Sequence, residues 1–307
     1  MRRTLIACTL LLVPAAALAG EGTGSNAEAA IRLPGNHGLV GFGEMVDART
    51  PGLFNLRGGT RYLLTVRDRD LPSGTSGLSE RTKRHELYTQ IGLSLFGFID
   101  VAGRIPYLFE SRDVNVHGQG GPSDLDDDDN GWGDVDLAAK VSLSVGWFTV
   151  APYVMAKLPT AEPSVDDLAG ADYGVSGTFT LFSQYLTFHG NLYGIQRETG
   201  FTGLGYRLGF ALVVFATDDF LVRTYSYVDG QEYEGTAKSD LDATVGAQAI
   251  LFSTLTAEVG FAYRIIDAGY VDDELERALR GTNGPNLNRR FQDDGSFAFY
   301  LSVGTSF

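Results

Sequence analysis

The sequence predicts an all-β protein, a transmembrane antiparallel up-and-down β-barrel of about 12 strands with both chain ends on the periplasmic side. Three observations predict it. The chain opens on an export signal and afterwards has no apolar run approaching the roughly 20 residues of a membrane-spanning helix. Segment after segment alternates apolar and polar residues with a period of two. The last such segment ends the chain on an aromatic residue, Phe307.

The opening residues are MRRTLIACTLLLVPAAALAG. Arg2 and Arg3 supply the positive region, Leu5 to Val13 the apolar region, and Ala17-Leu18-Ala19 the cleavage site, so residues 1–19 read as a signal peptide. Leu5-Ile6-Ala7-Cys8 imitates a lipidation site, but the apolar stretch continues past Cys8, and lipidation there leaves almost no apolar region. Cys8 is the only cysteine and leaves with the signal, so the mature chain has no disulfide. An exported chain without disulfides needs a large core or a closed hydrogen-bonded sheet.

Residues 20–52 precede the first clear strand and read either as a periplasmic tail or as a plug folded into the lumen. The barrel is expected over 53–307. Its strands fall near 54–68, 83–95, 99–111, 134–146, 148–159, 172–183, 185–198, 204–216, 219–231, 239–251, 254–267 and 296–307. In Asp134 to Val145, Val135, Leu137, Ala139, Val141, Leu143 and Val145 share one face. Leu241 to Leu251 and Leu255 to Ile265 repeat the pattern, and successive side chains of a strand point to opposite sides, so each segment has one apolar and one wet wall. Connections near 96–98, 146–147, 183–184, 217–218 and 252–253 are short; those at 69–82, 112–133, 160–171 and 268–295 are longer and polar, the asymmetry of an outer-membrane barrel. Two of the long connections carry short helical signals, one after Ser164 and one after Asp272.

The final segment, FAFYLSVGTSF, places Phe299, Leu301, Val303 and Phe307 on one face. An alternating strand with an aromatic terminus is similar to the signal read by the outer-membrane assembly machinery, which is therefore an expected partner. Composition agrees with a barrel. Gly 39, Tyr 14 and Phe 19 are high, and a mean hydropathy of -0.03 is what alternation averages to. A formal charge of -14 leaves nothing to neutralise phosphates, which excludes nucleic acid. Outer-membrane lipid, lipopolysaccharide and a small-molecule cargo are the other expected partners.

If the apolar faces meet lipid, the opposite faces line a lumen. They carry Arg57, Arg61, Arg67, Glu86, Asp100, Arg104, Asp134, Asp136, Lys140, Lys157, Arg207, Arg223, Asp240, Asp242, Glu258 and Arg264, with His189 beside them. Tyr153, Tyr193, Tyr225 and Tyr227 fall on the same side. Enclosed charges must be paired or hydrated, so the set implies either a water-filled path for small molecules or a salt-bridged, closed lumen. Rings with cations beside them suit a small aromatic acid; alternatively they fill space. The surplus acid sits in the loops. In SDLDDDDNGWGDVD, Asp126, Asp128, Asn130 and Asp134 place oxygens at calcium-loop spacing, although Leu137 stands where that motif needs Glu. A solvated acidic face is the other reading of this run. Beyond such a calcium ion no cofactor is expected.

Enzyme motifs are absent: no G-x-S-x-G, no H-E-x-x-H, no Walker loop, and no nucleophile beside His189 in Thr187-Phe188-His189-Gly190-Asn191. A non-enzymatic barrel is expected, ahead of an outer-membrane hydrolase. Two function readings stay open: a channel or transporter for small molecules, and a structural or surface barrel with a closed lumen and cation- or partner-binding acidic loops.

ARTPGLFNLRGGTRYL at 48–63, GWGDVDLAAKVSL at 131–143, APYVMAKLPTAEPSVDDLAGADYGVSGTFTL at 151–181 and the following LTFHGNLYG resemble the outer-membrane transporters named for the meta-pathway of phenol degradation. The shared features are a G-x-G-D strand entry with a later Lys (Gly131, Gly133, Asp134, Lys140) and a strand ending Lys-Leu-Pro-Thr at 157–160. Ala161 replaces that family's Gly, and Asn191-Leu192-Tyr193-Gly194 reverses its last two residues. The resemblance covers the middle third well and the last hundred residues hardly at all. It implies passage of small aromatic or apolar molecules across the outer membrane.

Overall fold

The computed structural model describes residue 35 and residues 38–71, 77–117, 123–162, 170–181, 185–197, 202–217, 219–233, 239–252, 254–266, 292–293 and 296–307. The signal segment and both expected helical turns lie outside the described residues. Two short strands, β1 (Gly41–Phe42) and β2 (Met45–Val46), pair only with each other. The wall begins at β3 (Phe54–Leu71), β4 (Gly77–Leu95) and β5 (Ile99–His117). Next come β6 (Ser123–Trp132), β7 (Val135–Val141) and β8 (Leu143–Val145), three pieces of one stave interrupted at Gly133–Asp134 and at Ser142. β9 (Phe148–Leu158), β10 (Gly170–Leu181), β11 (Leu186–Arg197), β12 (Thr202–Ala216), β13 (Phe220–Tyr233), β14 (Ser239–Leu251) and β15 (Leu255–Ile266) follow. β16 (Gln292–Asp293) is a two-residue pairing to β3, and β17 (Phe297–Ser306) is the last stave.

Every stave pairs antiparallel with its sequence neighbours, and β17 pairs with β3 from Phe297↔Val66 to Ser306↔Arg57. The result is a closed antiparallel barrel of 12 staves. Phe307 finishes the seam through two backbone bonds with Leu56, 2.8 and 3.0 Å. Closure leaves no unpaired edge, the condition for a sheet to stand in hydrocarbon.

The polarity of the wall is inverted relative to a soluble sheet. Leu208, Val245, Val303 and Leu301 are 58, 54, 56 and 47 % exposed, whereas Arg57, Arg61, Arg223 and Lys140 are each 1 % exposed. Apolar outside and charged inside is the arrangement that lipid selects and water does not. Rings gather at both rims of the apolar band. At one rim Tyr107 packs against Phe109 and Trp132; at the other Phe96, Phe98, Trp147 and Phe252 stand exposed beside the short turns. Tyrosine and tryptophan settle where hydrocarbon meets headgroups, so the rings mark the limits of the membrane zone. A charge at mid-band should be costly: Val245→Arg is expected to lower stability by about 2–4 kcal/mol, measured by urea unfolding in lipid vesicles.

Stave lengths depart from expectation at the end away from the short turns. β4 and β5 extend to Gly77 and His117, and β6 occupies much of 112–133, expected to be loop. The reason is physical. Above the lipid band neither side needs to be apolar, so alternation vanishes from the sequence while ladder pairing continues. The stretch 134–146 is likewise two strands rather than one, because Ser142 leaves the β7 ladder and donates its N–H to the Phe98 carbonyl at 2.7 Å.

A lumen occupied by the chain's own N-terminal segment

β1 and β2 form a hairpin that lies inside the barrel and contributes no bond to its ladders. Phe42 and Met45 are at most 1 % exposed, on a cluster of Ala211, Tyr225, Tyr227 and Tyr300. Leu39 and Val46 pack on the opposite wall against Tyr153, Met155, Tyr193 and Ile195. A two-residue-per-strand hairpin cannot satisfy its own backbone, and a buried amide without a partner is costly. The lumen side chains take that role. Val40 N–H donates to Asp100 Oδ2 (3.0 Å), Gly43 N–H to Glu258 Oε1 (2.8 Å), Glu44 N–H to the Tyr227 hydroxyl (2.9 Å), Val46 N–H to Asn191 Oδ1 (2.9 Å) and Ala48 N–H to Thr178 Oγ1 (2.9 Å).

The carbonyls are held in the same way. Gly41 C=O accepts from Arg223 Nη2 (2.8 Å) and Gln248 Nε2 (3.1 Å), and Val46 C=O from Asn191 Nδ2 (2.9 Å) and Ser176 Oγ (2.6 Å). Lys140 Nζ donates to the carbonyls of Asp47 and Arg49. Recognition thus comes from staves spread around the circumference, and the hairpin spans the lumen. Its exit toward the wall is at the short turns, where Thr50 Oγ1 and Ser142 Oγ share a 2.5 Å bond; its tip, Gly43–Glu44, lies at mid-stave beside Tyr227. Gly43 has φ +51°, and a Cβ there would come within 2.5 Å of the Tyr227 oxygen and 2.8 Å of the Tyr300 oxygen. Only glycine fits the tip.

Around the tip, three arginines repeat one arrangement, each paired to a carboxylate and stacked on a tyrosine. Arg61 pairs with Glu258 (3.0 Å) over Tyr300 (4.5 Å), Arg104 with Asp136 over Tyr88 (4.3 Å), and Arg207 with Asp229 (2.7 Å) over Tyr193 (4.5 Å). Stacking and ion pairing use different surfaces of a guanidinium, so both fit one side chain. Two of these tyrosines lie across glycines of neighbouring staves: a Cβ at Gly205 would overlap the Tyr193 ring and one at Gly260 the Tyr300 ring. This close approach explains part of the chain's high glycine and tyrosine content.

The structure brings together most of the residues that alternation places inside. Arg57 and Lys140 flank the buried Asp100, with Arg57 Nη2 on Asp100 Oδ1 and Lys140 Nζ 3.6 Å from Oδ2. Arg223 donates to Gln248 Oε1 (2.6 Å) and stacks over Phe42. Tyr225 donates to Glu258 Oε1 (2.8 Å) and shares a bond with Tyr300. Nearer the other end Glu86 pairs with Arg84 (2.7 Å) and Asp242 with Arg264 (2.8 Å), while Lys157 is half-buried and Arg67 is exposed. His189 is buried, with Nε2 2.7 Å from Thr187 Oγ1 and Nδ1 3.2 Å from Thr178 Oγ1. Both ring nitrogens are committed to threonine hydroxyls.

Asp134 Oδ1 accepts from the N–H groups of Thr160 and Ala161 (2.6 and 2.7 Å), a cap between staves. Asn130 is exposed, and the side chains of Asp126 and Asp128 lie outside the described residues. Phe299, Leu301, Val303 and Phe307 stand on the outer face, as the final segment's alternation requires; Leu301, Val303 and Phe307 are exposed. Sequence reasoning missed Asp229 and the hairpin's Glu44 and Asp47. Asp229 was within reach of the parity rule, since it follows Tyr225 and Tyr227 at a spacing of two. For the hairpin the available signal was GLVGFGEMV, an apolar stretch without alternation that must be buried somewhere.

Among solved structures, the chain is similar to the COG4313 outer membrane channel from Pseudomonas putida F1, with TM-score 0.51 and 12% identity over 85% of this chain and 98% of that one. The fold is that of an outer-membrane β-barrel. The NanC porin matches at TM-score 0.42 and 11% identity, over 82% of this chain and 98% of that one. A FadL homologue from Pseudomonas aeruginosa matches at TM-score 0.39 and 9% identity, over 84% and 90% of the respective chains. No family model and no curated protein matches the sequence.

Proposed function

We propose that this protein is an outer-membrane channel for small molecules whose narrow zone is set by its own N-terminal segment. The observation that carries the reading is the way the hairpin is held. It is bound to the wall by side-chain hydrogen bonds to its backbone, not by ladder pairing, so it can leave or shift without breaking the barrel. On this reading the short turns face the periplasm and the exposed aliphatic faces meet lipid. The tyrosine-lined lumen and the sequence resemblance support small aromatic or apolar solutes as cargo. No step of chemistry is assigned to the lumen; His189 serves as a hydrogen-bonding wall residue.

A second reading is a structural barrel with a closed lumen, favoured by the complete burial of Arg57, Arg61, Lys140 and Arg223. Planar bilayers separate the two. Purified full-length protein is expected to give small, reproducible conductance steps. Silence from both this protein and a form lacking the hairpin would leave the structural reading standing and the channel reading lost.

A further inference from the structure

We propose that two of the short turns carry membrane anchors, Phe96 and Phe252, whose rings insert into the lipid head-group zone at that end of the barrel. The anchors do not depend on the channel reading: a barrel with a closed lumen needs them equally.

Among the described residues, Phe96 and Phe252 are the two non-glycine positions with positive φ, at +57° and +52°. That left-handed region is open to glycine and tolerated by asparagine, but a bulky side chain there crowds its own backbone. Hairpin turns ordinarily place Asn, Asp or Gly at such a position. The barrel uses that solution elsewhere, since the turn after β8 has Gly146 at φ +62°. Strain of this kind persists only where another interaction offsets it.

Contacts within the protein do not supply that interaction. The two turns are built alike. Phe98 N–H donates to Leu95 C=O and Thr254 N–H to Leu251 C=O, both at 3.2 Å. The strained residues donate their own N–H groups to Leu53 C=O (2.7 Å) and Asp219 C=O (2.6 Å). These bonds call for the backbone conformation, and glycine or asparagine can make them as well. They do not call for a ring. Packing gives the rings little: Phe96 and Phe252 are 64 and 72 % exposed, Phe96 meets Phe98 at 6.0 Å between centroids, and Phe252 touches no other ring among the described residues. Rings on the staves raise no such question, because a strand accepts phenylalanine without strain.

Position names the partner. Both tips continue the apolar outer face: Leu53 and Phe54 beside the first turn and Leu255 beside the second are exposed. Lipid that covers those side chains reaches the turns next, where hydrocarbon gives way to head groups. Leu95-Phe96-Gly97-Phe98 and Leu251-Phe252-Ser253-Thr254 contain no charged residue, so nothing in them resists that zone. Moving a ring out of water there outweighs the strain of the turn.

The test uses the full-length protein refolded into phosphatidylcholine vesicles. Asparagine at both sites relieves the strain and removes the rings, so its two effects have opposite signs. The double variant Phe96→Asn, Phe252→Asn is expected to raise the unfolded-to-folded ratio in urea by about tenfold. Phe96→Trp with Phe252→Trp should restore the wild-type ratio, since tryptophan suits the same zone. A ratio unchanged or lowered by asparagine overturns the proposal, because relief of strain is then the whole effect. Quenching serves if the asparagine variant fails to assemble. With Trp132→Phe and Trp147→Phe, Phe96→Trp leaves a single fluorophore at the turn. Lipid brominated near the head group should quench it more strongly than lipid brominated near the chain ends. The reverse order, or no quenching by either lipid, overturns the proposal.

Discussion

Deleting residues 38–50 is expected to raise single-channel conductance severalfold while leaving the barrel assembled. The wall does not depend on the hairpin: β1 pairs with β2 only, and the ladder from β3 round to β17 is complete without either. What the deletion removes is a plug of apolar side chains, Leu39, Phe42, Met45 and Val46, each at most 2 % exposed, spanning the lumen from the Tyr225 side to the Tyr153 side. What it leaves is a set of arginines, tyrosines and amides that bonded to hairpin backbone and can bond to water instead. Ions cross water-filled space and not packed aliphatic side chains, so conductance should follow the plug. Gly43→Val tests the same idea with one residue. Its side chain has no room beside Tyr227 and Tyr300, and a β-branched residue is strained at φ +51°. The tip should be expelled and conductance should rise toward the deletion's value. An unchanged conductance in both forms would show that the hairpin does not set the narrow zone.

The hairpin also shows where legibility in the sequence stopped. Barrel staves announce themselves because lipid on one side and water on the other force a period of two, and Val135 to Val145 or Leu255 to Ile265 can hardly be read otherwise. That forcing ends at the limits of the lipid band. β6 and the upper parts of β4 and β5 are strands made of residues that look like loop, since ladder bonds do not care which side chains they carry. The lumen set was legible for the same reason as the staves, by parity, which is why Arg57, Lys140, Arg223 and Glu258 all stand inside. Their partners were not. That Arg61 pairs with Glu258 depends on β3 lying two staves from β15 after closure, a fact of register that no local pattern records. Glu44 was out of reach altogether, since it belongs to no stave and no alternation marks it.

Asp100→Ala is expected to be the most destabilising single change in the wall, by about 3–5 kcal/mol, because it strands two buried cations at once. Asp100 is 0 % exposed and lies between Arg57 and Lys140, which are no more than 1 % exposed. It also accepts from Ser94 Oγ (3.0 Å) and from Val40 N–H (3.0 Å), so it ties the hairpin's first residues to the wall. Asn at 100 can still accept those bonds but cannot balance the charge, so Asp100→Asn should fall between wild type and alanine. Lys140→Met removes one cation but orphans the Asp47 and Arg49 carbonyls that its ammonium holds, and should be costly by itself. Combined with Asp100→Ala it should cost less than the sum of the two, since one of the two stranded cations is gone. Unfolding in urea, followed by Trp132 and Trp147 at opposite rims of the outer face, reads wild type and all four variants. A loss below about 1 kcal/mol for Asp100→Ala would mean that water reaches the pair freely, as for exposed ion pairs. The lower lumen would then be a wet passage rather than a packed one, and the hairpin's hold on the wall would have to come from Arg223, Asn191 and Glu258 instead.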